Sequence, residues 1–81
     1  MAKILLVEDD NLVRDMLTQI LERAKHTVIG AANGEEATEC LKKETPDIMV
    51  TDIIMPKKSG ITLISEVRNR HPTMEIIAIS G

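Results

Sequence analysis

The sequence predicts an α/β protein in which a parallel sheet carries helices on both faces. Two observations support this fold class. Four short, continuous apolar runs are typical of strands buried on both sides, and the three longer segments between them repeat apolar residues at helical spacing. Regular alternation of strand and helix favours parallel strands joined by right-handed crossovers. Because 81 residues suffice for one domain and not for two, residues 1–81 are interpreted as a single domain.

The composition is that of a globular protein, and it excludes several classes of function. The chain is 43% hydrophobic and 28% charged, contains no aromatic residue, and has a formal net charge of −3. It therefore lacks the basic footprint and the stacking side chains of nucleic-acid-binding proteins. Its N-terminal apolar run is too short for a signal peptide or a membrane span, and its single cysteine fits a reducing compartment. A cytoplasmic protein that binds neither nucleic acid nor membrane is expected.

The first half of the chain predicts a strand at 3–7, a helix at 12–24 and a strand within 26–32. Asp10 or Asn11 is the expected N-cap of this helix. A short polar side chain there can accept hydrogen bonds from first-turn backbone N–H groups that have no partner within the helix. The apolar residues of the helix fall on one stripe, which predicts the buried face: Leu12, Val13, Met16, Leu17, Ile20, Leu21 and Ala24.

A second helix is predicted at 33–44, followed by a buried strand at 48–52. Asn33 is the expected N-cap, and Glu36 three residues later is placed to complete a capping box. Proline and aspartate in the segment 45–47 end the helix and turn the chain into the strand.

The last third predicts a loop at 54–60, a helix at 61–70 and a strand at 74–80. Within the loop, Lys57 and Lys58 are interpreted as solvated charges. Gly60 is interpreted as a position that needs either a backbone conformation or a close approach denied to other residues. The helical spacing predicts three residues facing the core: Ile61, Ile64 and Val67.

Polar side chains end three of the predicted strands. Glu8 and Asp9 follow the first strand, Asp52 ends the third, and Ser80 ends the fourth. Ligands of open parallel sheets bind outside the carboxyl ends of the strands, so these side chains are expected at one rim. Crowded carboxylates repel each other unless a cation lies between them, and Mg²⁺ prefers such oxygen ligands.

The acidic cluster therefore predicts a Mg²⁺ site with Asp9 and Asp52 as direct ligands and Glu8 close enough to hold a coordinated water. The alternative is a solvated turn between strand and helix in which Asp10 serves only as a cap. The second acidic position, at the end of a neighbouring strand, favours the metal site over that alternative.

Three segments of the chain resemble the receiver domains of two-component response regulators. They are ILLVEDDNLVRDML (4–17), PDIMVTDIIMPKKSG (46–60) and MEIIAISG (74–81). The resemblance implies a flavodoxin-like, doubly wound sheet with the element order β-α-β-α-β-α-β and the strand order 2-1-3-4.

The same resemblance implies a role for each residue of the rim. Asp52 would accept a phosphoryl group from a phosphohistidine on a sensor histidine kinase or phosphotransfer protein. Asp9, Asp52 and the backbone carbonyl of Ile54 would bind Mg²⁺, and Glu8 would assist through a water. Ser80 would be the switch hydroxyl that follows the phosphoryl group. Such a module is not an enzyme beyond catalysing its own phosphorylation and dephosphorylation.

A complete receiver continues past its fourth strand with a helix, a fifth strand that ends in a phosphate-binding lysine, and a final helix. This chain is therefore expected to be a receiver truncated after the fourth strand, with impaired phosphoryl chemistry. The fourth strand would be an open edge, and apolar surface beside the first helix would be uncovered. Such surfaces invite self-association or exchange of elements between copies.

Two other functions remain open from the sequence. One is a Mg²⁺-dependent phosphohydrolase with an aspartate nucleophile, a class that usually places a second acid two residues after the nucleophile. Here that position is Ile54, which counts against turnover. The other is a half-domain that folds by self-association and does not signal.

Overall fold

The computed structural model of the chain describes residues 1–55 and 58–79. It confirms the predicted alternation of strands and helices. The seven elements are, in order, β1 Lys3–Val7, α1 Asn11–Arg23, β2 Thr27–Ala31, α2 Gly34–Lys43, β3 Ile48–Asp52, α3 Gly60–Arg70 and β4 Glu75–Ile79.

The four strands form one parallel sheet in the order β2-β1-β3-β4, which confirms the predicted fold class and strand order. The register aligns the carboxyl ends of the strands. Val7 of β1 lies opposite Ala31 of β2 and Thr51 of β3. Asp52, the last residue of β3, lies opposite Ile79 of β4. Residues that follow β1 and β3 therefore emerge side by side at one edge of the sheet.

Each helix begins at a polar N-cap whose side chain accepts backbone N–H groups of the first turn. Asp10 caps α1 by accepting from Leu12 and Val13. Asn33 caps α2 and Ser59 caps α3. The predicted capping box of α2 differs in one contact: the carboxylate of Glu36 accepts the N–H of Ala32, the residue before the cap, at 2.9 Å.

The main core lies between one face of the sheet and the helices α2 and α3. Alternate residues of β1 point into it, because successive side chains of a strand face opposite sides. The members of this core are Leu5, Val7, Ala31, Ala37, Met49, Met55, Leu63, Val67 and Met74. Ile4 and Leu6 are buried on the opposite face, where α1 packs against β1 and β2.

The inward face of α3 differs from the prediction. Leu63 and Val67 are buried, Ile64 is half-buried, and Ile61 is 68% exposed, so the prediction for Ile61 is wrong. The helix begins one residue earlier than predicted, at Gly60. The buried residues Gly60, Leu63 and Val67 share one face of the helix, and Ile61 lies roughly 100–160° around the helix from them.

The predicted apolar stripe of α1 is wider than the surface that the helix buries. Val13, Leu17 and Leu21 are half-buried against the sheet. Leu12, Met16 and Ile20 are 81%, 57% and 54% exposed. These last three, spaced four residues apart, form a row that we call the outer stripe of α1.

The far edge of the sheet also exposes apolar side chains. Among the described residues, β4 pairs only with β3, and its Ile77 and Ile79 are 51% and 37% exposed. Together with the outer stripe of α1, this agrees with the uncovered surface that the sequence predicts. No helix in the described part of the chain has the length and apolar character needed to cross a membrane.

Candidate metal centre

Three carboxylates converge at the carboxyl edge of the sheet, as the sequence predicts. Glu8 and Asp9 directly follow β1, and Asp52 ends the neighbouring strand β3. The N–H of Glu8 donates to the carbonyl of Ala31 at 3.0 Å, which extends the pairing of β1 with β2 by one residue. Glu8, Asp9 and Asp52 each offer a carboxylate oxygen, and these oxygens all lie within 4.8 Å of one another.

The three acids differ in exposure, and this difference shapes the electrostatics of the site. Glu8 is buried, Asp52 is half-buried and Asp9 is exposed. Burial raises the pKa of the Glu8 carboxyl, and the neighbouring Asp9 and Asp52 raise it further, while the N–H of Asp10 opposes the shift by donating to it. Hard oxygen ligands that repel each other in this way suit a small divalent cation, so the residues fit Mg²⁺.

The loop after β3 holds the backbone close to Asp52. The N–H of Ile54 donates to Oδ1 of Asp52 at 3.3 Å, and the N–H of Gly60 donates to the carbonyl of Ile53 at 2.8 Å. A Cβ atom at position 60 would lie 2.2 Å from the carbonyl oxygen of Asp52. Only glycine fits there, which supports close approach, one of the two roles predicted for Gly60.

The roles predicted for two of the site residues stay predictions. The side chain of Ile54 is 75% exposed, and its N–H is the group that contacts Asp52. A metal-binding role for its carbonyl stays a prediction. Ser80 lies outside the described residues, so the prediction of a switch hydroxyl also stays a prediction.

The interpretation of Lys58 as a solvated charge is wrong. Its ammonium group donates to Oε2 of Glu66 at 2.7 Å and to Oγ1 of Thr38 at 3.0 Å, and its side chain is 20% exposed. A Cβ atom on Gly34 would lie 2.7 Å from Cβ of Lys58, so the glycine makes room for the lysine stem. Lys58 thereby ties the loop after β3 to α2 and α3. Lys57 lies outside the described residues.

Sequence reasoning also missed Arg14, which lies outside the apolar stripe predicted for α1. Its guanidinium Nη1 donates to the backbone carbonyl of Glu8 at 2.7 Å. A helical pattern cannot reveal this contact, because the contact depends on how the chain turns between β1 and α1.

The family described as "Response regulator receiver domain" matches residues 4–81. The response regulator receiver protein CpdR of Brucella abortus is 40% identical over 81 residues, an alignment that covers 100% of this chain and 68% of CpdR. The probable C4-dicarboxylate response regulator DctR of Bacillus subtilis is 35% identical over 81 residues, which cover 98% of this chain. The sensor kinase CckA of Brucella abortus is 40% identical over 82 residues, which cover 99% of this chain. This chain spans 36% of the length of DctR and 9% of that of CckA.

Solved structures agree with the sequence relatives. The response regulator TrrA of Thermotoga maritima, in complex with Mg(2+)-BeF, superposes with a TM-score of 0.94 at 31% identity over 99% of this chain and 70% of TrrA. A response regulator receiver protein of Pseudomonas putida superposes with a TM-score of 0.92 at 31% identity over 98% of this chain and 67% of that protein. With the matching fold and acidic edge, these similarities show that the chain belongs to the response regulator receiver domain family.

Proposed function

We propose that this chain is a phosphoacceptor module of two-component signalling. In this proposal Asp52 accepts a phosphoryl group from a phosphohistidine on a sensor histidine kinase or phosphotransfer protein. The observation that supports it best is the convergence of Glu8, Asp9 and Asp52, whose carboxylate oxygens lie within 4.8 Å of one another. The half-buried position of Asp52 at the end of β3 leaves this carboxylate accessible to a partner.

The chemistry assigns a distinct task to each group. One carboxylate oxygen of Asp52 attacks phosphorus, the bond from phosphorus to the histidine nitrogen breaks, and an acyl phosphate forms. The N–H of Ile54 holds Oδ1 of Asp52 and thereby orients the attacking group. Asp9, Asp52 and the Ile54 carbonyl would hold Mg²⁺, with Glu8 assisting through a water. When bound, the ion supplies neutralising charge for the carboxylates and for the phosphoryl oxygens.

In the same proposal, Ser80, Ile54 and Cys40 bear on the switch, on turnover and on localisation. The hydroxyl of Ser80 engages the phosphoryl group once it is on Asp52. The chain catalyses no reaction beyond its own phosphorylation and dephosphorylation, because Ile54 stands where an aspartate-based phosphohydrolase usually has a second acid. The protein acts in the cytoplasm, which suits its single unpaired cysteine, Cys40.

Phosphorylation by a small donor tests the proposal without the partner kinase. The chain is incubated with acetyl phosphate and Mg²⁺, and its intact mass is measured. We expect the mass to increase by one phosphoryl group in the wild type and not in Asp52→Asn. Asp15→Asn serves as the matched control, because it removes the same charge from an exposed position of α1.

Two results would contradict the proposal. Release of phosphate over many turnovers, without an accumulated adduct, would show a phosphohydrolase. Absence of both an adduct and any Mg²⁺-dependent stabilisation would show a domain that folds or assembles without accepting phosphate.

Self-association is a separate proposal, supported by the exposed apolar side chains of the fold. An open strand edge offers unpaired backbone groups to another chain. Ile77 and Ile79 on β4 are exposed beside such an edge, and the outer stripe of α1 adds further apolar surface. We propose that copies of this chain pair through β4.

A further inference from the structure

We infer that Arg14 is a positioning residue of the candidate metal centre. Its guanidinium holds the main chain at Glu8, so that the carboxylates of Glu8 and Asp9 are kept in place opposite Asp52. The inference rests on the proposed function, since it concerns how the proposed Mg²⁺ site keeps its shape.

The first supporting observation is the pair of contacts that the guanidinium makes. Nη1 of Arg14 donates to the carbonyl of Glu8 at 2.7 Å, and Nη2 donates to Oδ1 of Asn11 at 2.5 Å. Glu8 is the first residue after β1, and Asn11 is the first residue of α1. One rigid, planar group therefore joins both ends of the turn that carries Asp9.

The second observation is the path of the Arg14 stem. A Cβ atom on Gly30 of β2 would lie 3.4 Å from Cδ and 3.7 Å from Nε of Arg14, so the stem crosses the sheet at a residue without a side chain. Arg14 is half-buried there although it carries a charge. This packing fixes the direction from which the guanidinium approaches Glu8.

The third observation concerns which part of Glu8 the guanidinium contacts. Arg14 contacts the backbone carbonyl of Glu8 and leaves the carboxylate to accept the N–H of Asp10 at 3.1 Å. Arg14 thus contacts the main chain that carries the acids, and it acts on the position of the turn.

The test compares Arg14→Met and Arg14→Lys with Arg23→Met, in the whole chain. Arg23→Met is the matched control, because it removes the same charge from an exposed position of the same helix. The dissociation constant for Mg²⁺ is measured by calorimetry, and amide hydrogen exchange at residues 9 and 10 is measured in the metal-free protein.

We expect Arg14→Met to raise the dissociation constant about tenfold, the size typical of residues that orient metal ligands. It should also speed exchange at residues 9 and 10 while leaving exchange in β3 unchanged. Arg14→Lys should behave like Arg14→Met, because an ammonium group cannot bridge Glu8 and Asn11 as the planar fork does. Arg23→Met should change neither quantity.

The outcomes distinguish this inference from the proposed function. If the wild type binds Mg²⁺ and Arg14→Met binds it equally well with unchanged exchange, the inference is overturned and the proposed function stands. If the wild type does not bind Mg²⁺, the proposed function fails. Amide hydrogen exchange at residues 9 and 10 of the metal-free protein then shows whether Arg14 holds the turn. Restoration of tight Mg²⁺ binding by Arg14→Lys would show that charge matters and would also overturn it.

A second variant addresses the case in which Arg14→Met does not fold. Gly30→Val leaves the arginine in the sequence and places a branched side chain against its stem. We expect the same local increase in exchange at residues 9 and 10. If exchange in Gly30→Val rises equally across all strands, the arginine serves general stability only, and the inference is overturned.

Discussion

At the scale of single residues, the candidate site combines carboxylates that repel each other with backbone N–H groups that donate hydrogen bonds to them. Three carboxylate oxygens within 4.8 Å of one another repel, and the buried Glu8 loses hydration as well. Hydrogen bonds compensate locally: Glu8 accepts from the N–H of Asp10, and Asp52 accepts from that of Ile54. The site is therefore expected to be less stable without a cation than with one.

Removing one acid tests this balance. We predict that Asp9→Asn stabilises the metal-free protein by up to about 1 kcal/mol, the Coulomb energy of two charges about 4 Å apart in water. The same variant should lose the stabilisation that Mg²⁺ gives to the wild type, because a direct ligand is gone. Urea unfolding with EDTA and with Mg²⁺ measures both effects. A metal-free variant less stable than the wild type would contradict the prediction.

At the scale of elements, the link between β3 and α3 decides where Asp52 points. Ser59 caps α3, Lys58 ties the loop to Thr38 and Glu66, and Gly60 packs directly on the backbone of Asp52. These contacts join the end of a strand to the start of a helix within eight residues. The loop is consequently sensitive to any added volume at Gly60.

We predict that Gly60→Ala lowers the free energy of unfolding by about 2–3 kcal/mol, as overpacking of a filled position does. The added Cβ would lie 2.2 Å from the Asp52 carbonyl oxygen, so the backbone at the site must shift. Phosphorylation by acetyl phosphate should slow in the same variant. Gly30→Ala is the control, because its nearest neighbour lies at 3.4 Å, and urea unfolding should show a change within about 0.5 kcal/mol. Equal stability of the two variants would contradict the prediction.

At the scale of the whole molecule, the two faces of the sheet are covered unequally. α2 and α3 complete a buried core on one face, whereas α1 buries none of its residues fully on the other. The exposed Ile77 of β4 and the outer stripe of α1 leave apolar surface open to contact with another chain.

A single charge at the open edge tests the proposed self-association. We predict that the wild type sediments as a concentration-dependent mixture of monomer and larger species, and that Ile77→Lys shifts it toward monomer. Lysine on an edge strand opposes pairing because the charge would have to be desolvated. Asn69→Lys adds the same charge at an exposed position of α3, away from the outer stripe of α1, and should leave the distribution unchanged. A wild type that sediments as a monomer at every concentration would refute the proposal.

The features predicted correctly from the sequence are those that depend on neighbours along the chain. The bounds of β1 and β3 were predictable because continuous apolar runs end abruptly at polar residues, and the cap at Asn33 because a short polar side chain precedes helical periodicity. The edge position of Asp52 followed from the rule that parallel strands present their carboxyl ends together. Periodicity was insufficient for Ile61, because the helix has apolar residues on more than one side, and only packing against the sheet selects the face of Gly60, Leu63 and Val67.

By itself the sequence determined the α/β class, the order of the elements and the placement of acidic residues after β1 and β3. Tertiary structure alone decided that Glu8 is buried, that Arg14 reaches the Glu8 carbonyl and that Lys58 lies between α2 and α3. The physical reason is that periodicity and strand ends are local properties of the chain. Burial and contacts between distant residues depend instead on strand register and helix packing, which arise only when the sheet and its helices have assembled.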